Sequence, residues 1–186
     1  MKIEVQSAPW FTEDDRKILQ LSLERMAVFL GLENPDESLR VKFFKRPACH
    51  CGNPDCKSGT QAAVKACKRH PFDMRCSNGT LWETIKNFSH EMVHIKQMTS
   101  GDLGYKDHGI GGTITWKDKT FPSFVVKMAY TMGRDGGKEH LPWEDEAYGK
   151  QDAVFKDAVH NIPFPAQLHL AKYGMTDRAK VEKEVV

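Results

Sequence analysis

His90-Glu91-Met92-Val93-His94 sets two imidazoles four positions apart with a carboxylate beside the first. Each residue of an α-helix turns about 100°, so positions i and i+4 stand about 40° apart and project from one face. Two histidines so placed can bind one metal ion. Glu91 reaches a water on that ion more readily than the ion itself, which is the position of a general base. The chemistry implied is hydrolysis by Glu-assisted attack of a zinc-bound water. The alternative is a helix surface that carries two histidines to no purpose.

A catalytic zinc takes three protein ligands and keeps one position for water. The extended pattern with a third histidine six residues beyond the second is absent, because position 100 is Ser. A carboxylate from a second helix is the best source, and Trp143-Glu144-Asp145-Glu146-Ala147 offers two. Glu144 and Glu146 lie about 200° apart on a helix, so only one can face the metal. Ala147 shares a face with Glu144 and lets two helices approach closely, so Glu144 is the preferred ligand and Glu146 the alternative. His108, in a glycine-rich segment, is a third candidate. Tyr105, His108, Tyr130, His140 and Tyr148 are available to steady an oxyanion, with His108 and Tyr148 preferred.

A second cluster lies upstream. Cys49, Cys51, Cys56 and Cys67, with Cys76, His50 and His70 nearby, supply enough ligands for a closed structural zinc site. Free thiols are the alternative. The odd number of five cysteines argues against a disulfide framework.

The elements around these residues are legible in part. Lys2–Val5 is a short edge strand or an unstructured start. Thr12 caps a helix whose apolar face runs from Ile18 to Leu30, with Gly31 ending it. Leu39–Arg46, Thr60–Lys68 and Phe72–Cys76 alternate like strands, and a hairpin is expected through the cysteine-bearing loop between the first two. Thr80 and Glu83 form a capping box for a helix over Leu81–Met98 that carries the histidines. Asp102–Gly112 reads as a loop. Thr113–Thr120 reads as a strand with a tight turn near Lys117, and its edge is a candidate for pairing with an extended peptide. Pro142 starts the next helix, which continues to about His160, where Pro163 and Pro165 break it. Gln167–Tyr173 adds a short helix, and a charged, frayed tail begins at about 176.

The combination SHEMVHIKQ, TWKDKTF and LPWEDEAYGKQ resembles the minigluzincins, a group of small zincin metallopeptidases common in phage and bacterial sequences. The resemblance covers about Leu81–Asp152. It implies an α+β zincin-like core, with a twisted mixed or antiparallel sheet packed against the H-E-x-x-H helix and a second ligand-bearing helix. It maps His90 and His94 to zinc ligands, Glu91 to the base and Glu144 to the third ligand. The cysteine loop departs from the minimal form of that fold. The rival resemblance is to SprT-like proteases, which follow H-E-M-x-H with a His-Gly, here His108-Gly109. That reading leaves the Pro-Trp-Glu-x-Glu-Ala segment unexplained.

Composition bounds the rest. With 40% hydrophobic and 28% charged residues over 186 positions, one globular domain is expected, with an insertion at about 47–77. A formal net charge of +2 gives no general argument for nucleic acid or an anionic membrane. No apolar run is long enough to span a bilayer, and the start lacks the apolar segment of a signal peptide, so a cytoplasmic protein is expected. The functional expectation is a zinc peptidase acting on a peptide or protein, with one catalytic zinc. The alternative is a non-catalytic zinc-binding module, structural or associated with nucleic acid.

Overall fold

The structure, a computed structural model, describes residues 1–44, 62–65, 72–77, 79–106, 112–126 and 141–174. It is an α+β fold with two small sheets. Strand β1 (Lys2–Val5), helix α1 (Glu13–Phe29) and β2 (Ser38–Phe44) form a β-α-β unit with β1 and β2 parallel. Strands β3 (Ala62–Lys65) and β4 (Phe72–Ser77) complete a four-stranded sheet of order β1-β2-β4-β3. β4 runs parallel to β2, and β3 runs antiparallel to β4.

This order overturns the expected hairpin through the cysteine-bearing loop, because β4 lies between β2 and β3. The register supplies the reason. Leu39 pairs with Phe72, Val41 with Met74 and Phe43 with Cys76, which sets one continuous apolar row on the helix-facing side. The strand with the strongest apolar alternation takes the interior position, and short β3 goes to the edge.

Helix α2 (Leu81–Thr99) packs on this sheet and is the centre of the core. Leu81, Ile85, Phe88, Met92 and Ile95 are buried, as the sequence stripe required. Both long N-terminal caps are full capping boxes, Thr12 with Asp15 on α1 and Thr80 with Glu83 on α2. Gly31 and Gly101 follow the two C-caps at φ +65° and +81°, the left-handed conformation that glycine adopts without steric cost.

After α2 the chain forms a second, antiparallel sheet of β5 (Leu103–Lys106), β6 (Thr113–Trp116) and β7 (Lys119–Pro122). The expected loop over Asp102–Gly112 is therefore partly a strand. Its glycines mask the signal, but Leu103 is buried with Trp143 in a small second core. Within the expected Thr113–Thr120 stretch, Thr113–Trp116 is the central strand, hydrogen-bonded on both sides, while Lys119 and Thr120 lie in β7 at the edge of the sheet. Residues 123–126 are helical.

Helix α3 (Pro142–His160) begins with Pro142 in its first turn. Helix α4 (Phe164–Gly174) starts three residues before the expected Gln167, since Pro165 sits in its first turn, where the missing N–H costs nothing. Pairs between α2 and α3 are Trp82 with Phe155, Lys86 with Gln151, His90 with Glu144 and Gln97 with Trp143. One index rises as the other falls, so the helices are antiparallel, and the C-terminal half of α2 faces the first turn of α3. Arg25 of α1 forks onto Asp157 at 2.6 and 3.0 Å and ties α1 to the same helix. No helix among the described residues is long and apolar enough to cross a membrane.

Candidate metal centre

The capping box at Thr80 sets the phase of α2, and that phase directs His90 and His94 at the start of α3. Their rings stand 4.7 Å apart between centroids and nearly perpendicular, at 83°. The two Nε2 atoms lie 3.1 Å apart. Glu144 answers from the first turn of α3 with Oε2 at 3.2 Å from His90 Nε2 and Oε1 at 3.5 Å from His94 Nε2. The side chains of His90, His94 and Glu144 are only 12, 9 and 12% exposed. Among the described residues, these three form a group whose ligand atoms all lie within 4.8 Å of one another, and that group could hold a metal ion.

What aims Glu144 is packing rather than a cap. Leu141 offers no side-chain cap to α3. Instead Trp143, 1% exposed, is gripped by Trp116 and Phe121 of the second sheet at centroid distances of 6.4 and 5.3 Å. Ala147, fully buried one turn on, lets the two helices come together. The second sheet thus clamps the residue next to the candidate ligand.

Glu146 points the other way. Its carboxylate accepts from Lys150 Nζ at 2.6 Å and from Gln97 Nε2 at 3.1 Å. Burial raises its pKa, but the bonds from Lys150 and Gln97 and the charges of Lys150 and Lys117 outweigh this and hold it below the usual value. The two glutamates divide as helix geometry requires, Glu144 to the histidines and Glu146 away from them.

Around the group, burial opposes a charge on His94, but the bond and charge of Glu144, then Glu91 and Gln97, raise its pKa overall. Glu91 is buried at 7% exposure on the same helix. Tyr105, half-buried on β5, stands in the field of both carboxylates. Burial, then Glu144 and Glu91, push its phenol up to about 12. Tyr148 lays its ring 4.5 Å from that of His90 while remaining exposed. Cys76, on β4 beneath α2, is a buried free thiol pushed up to about 12 by burial and by Glu91.

Cys49, Cys51, Cys56, Cys67, His50 and His70 lie outside the described residues, as do His108, Tyr130, His140 and the tail from 176. Sequence reasoning missed Gln97. Its Oε1 lies 2.8 Å from His94 Nδ1, and its Nε2 lies 2.9 Å from the Trp143 carbonyl. The spacing His94-x-x-Gln97 was the available signal, one helical turn apart on one face. Scanned against protein-family models, curated proteins and solved structures, the chain matches none.

Proposed function

We propose that this chain is a zinc-dependent peptidase with a zincin-like core. The observation that carries the reading is the convergence of His90, His94 and Glu144, with side chains only 9 to 12% exposed, and Glu91 beside His90 on the same helix. Two imidazoles and one carboxylate are the donor set of a catalytic zinc, because three protein ligands leave a position for water. Bound there, zinc would polarise a carbonyl and lower the pKa of water from about 15.7 toward 7.

The protein groups supply the rest. Glu91 takes the proton as water attacks and returns it to the leaving amine. Tyr105, half-buried on β5 and in the field of Glu91 and Glu144, is the candidate donor to the oxyanion that develops on the substrate. Its shared field with Glu91 and Glu144 favours it over Tyr148, whose ring packs as a wall on His90.

The zincin-like reading of the fold is supported by an H-E-x-x-H helix lying on a mixed sheet, with the outermost strand antiparallel. α2 packs against that strand, β3, and no described strand pairs with its other side. An extended peptide adding there would pair main chain to main chain along the sheet that α2 packs against, with those hydrogen bonds setting its direction. Metal analysis with a fluorogenic peptide library tests the proposal. One zinc per chain, with cleavage abolished by a chelator and restored by zinc, is expected. A zinc-loaded chain that cleaves nothing in the library overturns it.

A further inference from the structure

We propose that Gln97 is a positioning residue that fixes the tautomer and ring direction of His94, with Glu146 as its outer anchor. This deepens the metal-site reading and rests on it. The orientation of the amide follows from what each neighbour can do in a hydrogen bond. The Trp143 carbonyl, 2.9 Å from Gln97 Nε2, can only accept. The Glu146 carboxylate, 3.1 Å from the same nitrogen, accepts as well. The amide must therefore turn its NH₂ toward α3, which leaves its oxygen facing His94.

That oxygen also can only accept. At 2.8 Å from Nδ1, it requires that His94 carry its proton on Nδ1. In the neutral ring, Nε2 then holds a lone pair, and it is Nε2 that faces His90 and Glu144. Both hydrogens and the oxygen of one buried amide are used, so the side chain has no second orientation that satisfies these partners. Lys150, 2.6 Å from the far oxygen of Glu146, extends the bracket to the surface.

The two histidines differ in this respect. Nδ1 of His90 is buried with no hydrogen-bond partner among the described residues, and its ring is held by packing on Tyr148. His94 is thus the ligand set by hydrogen bonding. The same bracket gives Glu146 a positioning role, since it orients the amide that orients the histidine, and Glu144 is left to face the ion.

The test uses the full chain and zinc itself. Zinc Kd is measured by competition with a chromophoric chelator for the parent, Gln97→Met, Glu146→Ala and the double variant. Ring-nitrogen NMR shifts report the His94 tautomer. The parent should show Nδ1–H with and without zinc. Gln97→Met should weaken zinc by about 10- to 100-fold, the usual effect of losing a partner behind a metal-bound histidine, and should leave a mixture of tautomers in the metal-free chain. Glu146→Ala should weaken zinc less, with no added effect in the Gln97→Met background, because it acts through that amide. If Gln97→Met fails to fold, Glu146→Ala carries the test, since that side chain is 25% exposed; its His94 shifts should then move toward the mixture. Zinc Kd within about twofold of the parent, or an unchanged Nδ1–H signature, overturns the inference and leaves the metal reading intact. A parent chain that binds no zinc overturns both.

Discussion

Glu144 sets Oε2 3.2 Å from Nε2 of His90, across 54 residues of sequence. Its other oxygen faces His94 at 3.5 Å, so one carboxylate spans both imidazoles. Removing it should cost more zinc affinity than the roughly 10- to 100-fold lost with an outer-shell partner. Glu144→Ala is therefore expected to purify without zinc, and His108→Ala to retain it. Zinc content by mass spectrometry decides between them, and loss confined to the His108 variant would transfer the third ligand to that histidine.

Trp143 is the next test, because it holds the first turn of α3 in the second core. Trp143→Ala should destabilise the fold by about 3–5 kcal/mol in urea unfolding, as a large aromatic core truncation does. Zinc affinity should fall with it, although Trp143 is not a ligand. An unchanged Kd for zinc would show that the clamp does not aim Glu144.

Tyr105→Phe separates substrate polarisation from metal binding. Zinc content should be unchanged, and kcat should fall by about 10²- to 10³-fold, as for loss of one oxyanion donor. Tyr148→Phe should have little effect on kcat. The reverse order in steady-state kinetics would reassign the donor.

The cap of α1 gives a pH-dependent stability. Asp15 is buried, bonded by Thr12 and by His169 of α4 at 3.0 Å. Burial raises its pKa, yet the bonds from His169 and Thr12 hold it below the usual aspartate value. A depressed carboxylate stabilises the fold above its unfolded pKa and loses that contribution as pH falls through the folded value. Asp15→Asn keeps the Thr12 cap but removes the charge that Thr12 and His169 bond, and should therefore cost about 0.5–1.5 kcal/mol at pH 7. The gap from the parent should close as pH drops below about 4, where urea midpoints of the two chains are compared.

Helical phase is local, and what depends on it could be read from the chain alone. The caps at Thr12 and Thr80, the buried face of α2 and the opposite directions of Glu144 and Glu146 are of this kind. Gln97 was legible only in half, since His94 lies one turn away on the same helix while the Trp143 carbonyl and Glu146 are 46 and 49 residues away. The position of β4 between β2 and β3 depends on which apolar rows align, a relation between strands. β5 was hidden because Gly104 dilutes the alternation of a four-residue strand whose burial comes from Trp143.

The central claim is that Glu91 works as a base beside a zinc held by His90, His94 and Glu144. The most direct measurement is kcat for a cleaved peptide in the parent and in Glu91→Gln, at equal and verified zinc occupancy. The expected result is unchanged zinc with kcat lower by about 10²- to 10⁴-fold, the contribution of a positioned general base. Equal kcat in the two chains would contradict it.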